Sequence, residues 1–165
     1  MRTLLLGSSG FIGKPLVESL ANNTKITIFE SRSGNHFDKN IETLPKTSSF
    51  REQLMQIRPK QFQRVIDCSW SGLPNLSNEN NKLNLEQKLF LIDRMRQLGI
   101  KSYVGFGSCL EFGSLTGEVN EEEKGKDVGN FGSTKLELLD RVRSSFEHHI
   151  WFRPFYLVGS RQHEN

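Results

Sequence analysis

Three glycines near the amino terminus have the spacing of a phosphate-binding turn. Gly7, Gly10 and Gly13 follow a short apolar run at residues 3–6 and precede a segment of helical periodicity. In such a turn the first glycine permits the tight bend, the second lets a pyrophosphate approach the backbone, and the third lets helix and strand pack closely. The helix amino terminus adds free N–H groups and the positive end of the helix dipole. The turn therefore predicts binding of a dinucleotide.

Glu30 extends this prediction to the identity of the dinucleotide. It ends the alternating apolar segment 25–29 and follows Gly13 at close to the roughly 20-residue offset at which a carboxylate accepts the ribose hydroxyls of NAD. A negative charge there repels the 2′-phosphate of NADP, so NAD is the expected cofactor. Arg32 is able to reach such a phosphate and keeps NADP as the alternative, although a solvated loop cation is the preferred interpretation of this residue.

Strand-like and helix-like segments alternate along the chain. Apolar runs and period-two patterns predict strands at residues 3–6, 25–29, 64–68, 102–106 and 150–152. Helical periodicity predicts helices at residues 11–20, 50–57, 83–98 and 135–146. Polar, glycine-containing stretches predict loops at residues 69–81 and 113–130. This alternation is typical of an α/β domain built on a doubly wound parallel sheet.

The composition limits the partners of the protein. The 165 residues fit one domain, and a formal net charge of +3 is too small to indicate nucleic-acid or membrane binding. The sequence has neither an apolar run of the roughly 18 residues that span a membrane nor a signal peptide. Cys68 and Cys109 form no CxxC pair, and His148 and His149 are interpreted as a solvated helix end, so no metal site is predicted. We expect a soluble, cytoplasmic domain.

Six segments, in order, match motifs of one enzyme family. They are LGSSGFIG at 6–13, VIDCSW at 65–70, Asn84, GSCLEFG at 107–113, FGSTK at 131–135 and RPFYLVG at 153–159. They resemble T-G-x-x-G-F-I-G, V-I-H-L-A-A, the asparagine that opens the long fourth helix, S-S-x-x-V-Y-G, Y-x-x-x-K and R-P-x-N-V-Y-G. These are motifs of the extended short-chain dehydrogenase/reductases, the NAD-dependent epimerase/dehydratase family that acts on nucleotide sugars.

The resemblance implies a three-layer Rossmann-like fold and a set of functional residues. The implied cofactor-binding residues are Gly7, Gly10, Phe11, Ile12, Gly13, Glu30, Arg32, Ser69 and Lys135. The implied catalytic positions are Ser108, Phe131 and Lys135. In the family, hydride transfer at a sugar carbon is accompanied by proton transfer through a tyrosine, whose pKa is lowered by the lysine four residues on. A nucleotide sugar is the implied substrate, and the implied homodimer is formed through the helices at 84–98 and 134–147.

Phe131 departs from this scheme because phenylalanine has no ionisable proton. Three explanations stay open: an engineered change that traps a complex, a natural loss of catalysis, or proton transfer by a different group. Tyr103 does not fit as a substitute, because it lies within a predicted buried strand. The chain is thus either an oxidoreductase of the epimerase/dehydratase type or a catalytically silent dinucleotide-binding module that acts as a sensor or partner.

Smaller departures and the chain length add to this picture. Trp70 replaces a small residue beside the cofactor, and Tyr156 replaces an asparagine near the substrate. The last motif ends at Gly159, whereas relatives build their substrate-binding lobe mostly after it. We therefore expect residues 1–165 to be an NAD(P)-binding Rossmann domain without the small carboxyl-terminal substrate lobe, from a truncated or degenerate member of the family.

Overall fold

Six parallel strands form one sheet in the computed structural model, which describes residues 2–29 and 39–159. The strands are β1 (Arg2–Leu6), β2 (Lys25–Phe29), β3 (Ile41–Leu44), β4 (Arg64–Asp67), β5 (Ser102–Phe106) and β6 (His148–Phe152). Their order across the sheet is β3-β2-β1-β4-β5-β6. The order reverses between β1 and β4, which is the switch point where doubly wound folds bind their ligands. The predicted α/β Rossmann-like fold is confirmed.

Helices cover both faces of this sheet. They are α1 (Gly13–Leu20), α2 (Phe50–Met55), α3 (Asn78–Gln97) and α4 (Asn130–Ser145), with a 3₁₀ turn at Cys109–Phe112. Because side chains alternate along a strand, Leu4 and Leu6 of β1 pack toward α2, α3 and α4, whereas Leu5 packs toward α1. The result is a three-layer domain with two apolar cores, one on each face of the sheet.

α3 begins earlier than its sequence pattern indicates. Residues 78–82 were expected in a loop or at its border, but the first turn is helical, and the Ser77 side chain caps it by accepting a hydrogen bond from the Asn80 N–H. Asn81 is 1% exposed and its amide donates to Asn130 at the start of α4. Tertiary contacts therefore stabilise a helical turn of poor intrinsic propensity.

Three further expectations differ from the structure. β3 has no counterpart among the predicted strands, since it is a short edge strand without fully buried residues. α4 begins at Asn130, five residues before the predicted start. His148 and His149 open β6, where they pair with Ser102 and Tyr103, so their interpretation as a helix end is wrong.

Residues 2–29 and 39–159 contain neither a candidate membrane-spanning helix nor a candidate metal-binding cluster. No helix there is long and apolar enough to cross a lipid bilayer. No group of three or more histidine, cysteine, aspartate or glutamate side chains in those ranges lies close enough together to hold a metal ion.

Candidate functional site

The glycine turn connects β1 to α1 at the switch point of the sheet. Gly7 has a φ of +76°, and a Cβ on it would lie 2.7 Å from the carbonyl carbon of Cys68. A Cβ on Gly13 would lie 2.0 Å from the Gly7 oxygen. These close approaches bring the ends of β1 and β4 and the start of α1 together, as the sequence predicts for the first and third glycines.

The outer side of the turn is suited to an anion. Gly10 is exposed, and a Cβ on it would meet only the Gly7 oxygen, at 3.3 Å. No side chain caps the amino terminus of α1 at Ile12. The Lys14 N–H donates to the Gly10 carbonyl oxygen, so the N–H groups of Ile12 and Gly13 are the donors at this end without a capping side chain. Phe11 is 37% exposed beside them. Backbone donors next to an accessible glycine fit the pyrophosphate of a dinucleotide. Glu30 and Arg32, the residues expected to contact the adenosine ribose, lie outside the described residues.

A cavity of about 350 Å³ lies at the carboxyl edge of the sheet. Five of the implied cofactor-binding and catalytic residues line it: Ile12, Ser69, Ser108, Phe131 and Lys135. They come from the start of α1, the ends of β4 and β5, and the start of α4. Segments far apart in the sequence therefore meet on one surface, next to the glycine turn.

Ser108 both caps a helix and faces the cavity. Its hydroxyl oxygen accepts a hydrogen bond from the Leu110 N–H at 3.2 Å, which caps the 3₁₀ turn that follows β5. Its own N–H donates to Glu111 at 2.9 Å. These two bonds fix the position of the side chain. The hydroxyl proton is not used in the capping bond, so it is able to donate to an oxygen in the cavity.

Phe131 and Lys135 lie one helical turn apart at the start of α4. The Lys135 Nζ is 5.4 Å from the Phe131 ring centroid and 3.6 Å from the Trp70 ring centroid. It donates to the Phe106 carbonyl oxygen at 3.0 Å. Trp70 and Phe131 themselves make an edge-to-face contact at 5.4 Å. The amine is therefore held between two aromatic rings on the cavity wall.

The surroundings of Lys135 disfavour its charged form. The residue is only 6% exposed. Burial lowers its pKa from 10.5 to about 7, and the positive charge of Lys88 acts in the same direction. Asp67 and Glu111 oppose this change but do not cancel it. Amine and ammonium are therefore both present near neutral pH.

A buried ion pair beneath the cavity is not predicted by the sequence. Lys88 of α3 donates to Asp67 at the end of β4 at 2.7 Å, and the Tyr103 hydroxyl donates to the other carboxylate oxygen at 2.9 Å. Burial alone would raise the pKa of Asp67, but the charge and hydrogen bonds of Lys88 and Ser69 bring it below its usual value. Tyr103 is buried, as predicted, and its pKa is raised well above 10 by burial and by the charge of Asp67. The buried side of α3 was the available signal, since Lys88 lies one turn before Ile92 on it.

Asn84 shapes the loop that contains Ser69 and Trp70. It lies in the second turn of α3, not at the opening of that helix as the resemblance implies. Its side-chain oxygen accepts from the Ser71 N–H at 2.9 Å, and its amide donates to the Ser71 carbonyl at 3.0 Å. This paired contact fixes the backbone next to Trp70.

A second buried ion pair holds the segment after β6. Glu111 is 1% exposed and accepts from the Arg153 Nε at 2.6 Å and from the Trp151 Nε1 at 3.1 Å. Arg153 also donates to the Glu121 carbonyl in the long loop before α4. The motif that begins at Arg153 is thereby attached to the end of β5, beside Ser108. Sequence reasoning missed the role of Glu111, whose signal was its position three residues after the capping serine.

A family model for the NAD dependent epimerase/dehydratase family matches residues 3–165. The chain belongs to this family. No curated protein sequence matches the chain.

Solved structures of other proteins share this fold at low sequence identity. The Bordetella bronchiseptica enzyme WbmH, in complex with NAD⁺, is 15% identical with a TM-score of 0.76, over 99% of this chain and 58% of its own. The UDP-N-acetylglucosamine 4-epimerase of Methanobrevibacter ruminantium M1, in complex with UDP-N-acetylmuramic acid, is 20% identical with a TM-score of 0.78, over 99% and 57%. The UDP-glucuronic acid 4-epimerase of Bacillus cereus, in complex with NAD, is 17% identical with a TM-score of 0.76, over 98% and 59%. The chain thus spans less than two thirds of each of these proteins.

Proposed function

We propose that residues 1–165 form the cofactor-binding domain of an NAD-dependent oxidoreductase of the nucleotide-sugar epimerase/dehydratase type. This proposal rests mainly on one cavity beside the glycine turn. It is lined by Ile12, Ser69, Ser108, Phe131 and Lys135. Family membership supports it. When bound, NAD supplies a reversible hydride acceptor, and the protein supplies binding, orientation and proton exchange.

The proposed cofactor site runs from the glycine turn into the cavity. Phe11, Ile12 and Gly13 bind the pyrophosphate through backbone N–H groups, since the turn is open on that side. Gly7 and Gly10 shape the turn, in which the Gly10 N–H donates to the Gly7 carbonyl oxygen, and leave room for the pyrophosphate. Glu30 accepts the adenosine ribose hydroxyls, and Arg32 leaves NADP as the alternative cofactor. Ser69 and Lys135 orient the nicotinamide half, because both line the cavity next to the turn.

The proposed substrate is a nucleotide sugar that enters the same cavity. Structures similar to this chain were solved with UDP-glucuronic acid and UDP-glucose, which supports UDP-sugars as the first probes. Ser108 donates its hydroxyl proton to the reacting sugar oxygen. We further propose a cytoplasmic homodimer that pairs through α3 and α4; a monomer in sedimentation velocity would argue against that assembly.

Calorimetric titration with NAD tests the cofactor assignment. We expect the parent chain to bind NAD and Gly10→Val to lose at least tenfold in affinity. The valine side chain fills the space that the pyrophosphate needs, while its Cβ meets only the Gly7 oxygen. Ser19→Val, on the exposed side of α1, is the matched control and keeps the affinity of the parent. Absence of NAD binding by the parent would overturn the proposal.

The second candidate is a dinucleotide-binding module without catalysis, and Phe131 favours it. Incubation with NAD and either UDP-glucose or UDP-glucuronic acid separates the two candidates, since only an enzyme forms NADH, which absorbs at 340 nm. NADH formation by the parent or by Phe131→Tyr supports the enzyme. Tight binding of both NAD and the UDP-sugar, with no NADH from either chain, supports the module.

A further inference from the structure

The missing hydroxyl at position 131 leaves the site in need of another proton acceptor. Among the residues that the structure describes, three ionisable side chains line the cavity: Asp67, Cys68 and Lys135. Hydroxyls such as Ser69 and Ser108 do not ionise near neutral pH. The acceptor that replaces the tyrosine is therefore to be sought among these three.

Asp67 and Cys68 are poorly suited to the task. One carboxylate oxygen of Asp67 accepts from Lys88 and from the Ser69 N–H and hydroxyl, while the other accepts from Tyr103. Protonation of this carboxylate would leave Lys88 as a buried charge without a counterion. Burial and the charge of Asp67 raise the pKa of the Cys68 thiol to about 12, so it stays protonated.

Lys135 is not held in an ion pair among the described residues. Its Nζ donates to the Phe106 carbonyl, and no carboxylate among the described residues lies within ion-pair distance of it. The charged groups that act on it from the neighbouring elements are Lys88 on α3, Asp67 on β4 and Glu111 in the 3₁₀ turn. Because the amine is buried without a partner carboxylate, its neutral form is accessible near pH 7.

We propose that the Lys135 amine itself exchanges the proton with the sugar hydroxyl, in place of the side chain at position 131. This inference rests on the proposed function. In the oxidative direction the sugar C–H bond breaks with its electron pair going to oxidised NAD as hydride, the O–H bond breaks with its proton going to the Lys135 Nζ, and a carbonyl forms. The products are a keto-sugar, NADH and the ammonium form of Lys135. Reduction reverses each step, with Ser108 donating to the same oxygen.

The experiment compares two replacements of Lys135 in single-turnover NADH formation from UDP-glucose and UDP-glucuronic acid, between pH 5.5 and 9. The rate of the parent should rise about tenfold per pH unit and level off above pH 7. Lys135→Arg keeps the positive charge but cannot release its proton, and Lys135→Met lacks the charge; both should lose about 100-fold or more. Lys82→Arg, an exposed lysine on α3, should retain the parent rate.

A second readout needs neither cofactor nor substrate. Because the Lys135 ammonium lies against the Trp70 ring, its deprotonation should change tryptophan fluorescence with a midpoint near pH 7, and Lys135→Met should lack this change. Circular dichroism confirms that each variant is folded. The change in fluorescence establishes the titration of the amine independently of turnover.

Each outcome decides between the claims. A Lys135→Arg chain with parent-like turnover, or a fluorescence signal without a midpoint below pH 9, would overturn the role of Lys135. An inactive parent beside an active Phe131→Tyr chain would overturn it as well, while leaving the proposed oxidoreductase intact. If NAD and the UDP-sugar both bind and both chains are inactive, the inference fails together with the enzyme form of the proposed function.

Discussion

The Lys135 ammonium lies 3.6 Å from the centroid of the Trp70 ring, in a wall of the cavity that is otherwise mostly apolar. This cation–π contact stabilises the charged amine, but burial acts more strongly in the opposite direction. Trp70 therefore does more than fill space: it excludes water from the amine and leaves its neutral form accessible.

Removal of Lys135 should change how stability depends on pH. Its pKa falls from 10.5 in the unfolded chain to about 7 in the folded chain, so between these values the unfolded chain binds the extra proton. The free energy of unfolding of the parent therefore rises with pH across this window. We expect Lys135→Met to lack a rise on the order of 3–5 kcal/mol. Urea denaturation of both chains at pH 7 and pH 10 measures this rise. An equal change in the free energy of unfolding in the two chains would contradict the prediction.

The Asp67–Lys88 pair makes a prediction about stability at neutral pH. Asp67→Asn leaves a buried ammonium without its counterion, so we expect a loss of about 3–5 kcal/mol in the free energy of unfolding. The double variant Asp67→Asn, Lys88→Met removes both charges and should be more stable than Asp67→Asn alone. Urea denaturation of the two single variants and the double variant measures this coupling. Additive losses would show that the pair does not interact.

The same pair gives a pH dependence of the same sign as that of Lys135, but in the acid range. The folded-state pKa of Asp67 is below 3.8, so its ion pair contributes stability above pH 3.8 that is lost as pH falls through the folded-state value. We expect the difference in unfolding free energy between parent and Asp67→Asn to be constant from pH 5 to 6 and to shrink in stronger acid. Thermal melts followed by circular dichroism test it, and a difference that grows in acid would refute the ion pair.

Glu111 makes a corresponding prediction for the segment after β6. Glu111→Gln keeps the volume but loses a carboxylate that accepts from Ser108, Trp151 and Arg153. We expect a loss of about 2–4 kcal/mol in the free energy of unfolding, since the Arg153 charge then lacks its partner. Glu118→Gln, on an exposed loop, is the matched control and should change stability by less than about 0.5 kcal/mol. Equal effects of the two substitutions would exclude a special role of Glu111.

Strong local patterns let the sequence predict much of the sheet. β2 and β5 have the predicted bounds because their apolar and alternating residues occupy buried positions. The same reasoning missed β3, whose edge position leaves it partly exposed, and the first turn of α3, whose asparagines favour helix only because Ser77 caps it and Asn130 binds Asn81. Local propensity does not report such long-range contacts.

The candidate site shows a similar division. The glycine turn and the positions of Ser108, Phe131 and Lys135 follow from motifs, because each motif is short and local. The ion pair of Asp67 with Lys88 joins a strand to a helix that packs on the sheet. The ion pair of Glu111 with Arg153 joins the segments that follow two strands. Pairing over such separations depends on the fold, so spacing alone does not reveal it.

Two glycines with nearly identical φ angles separate backbone strain from close packing. Gly7 has a φ of +76° and Gly99 a φ of +77°, but a Cβ on Gly99 meets nothing within 4 Å, whereas one on Gly7 lies 2.7–2.8 Å from the backbone of Cys68 and Ser69. Gly99→Ala should therefore cost about 1–2 kcal/mol, the price of the left-handed conformation alone. Gly7→Ala should cost more and weaken NAD binding, because β1 must move away from β4. Urea denaturation and calorimetry on both variants measure this, and equal losses would show that the contact with β4 is not limiting.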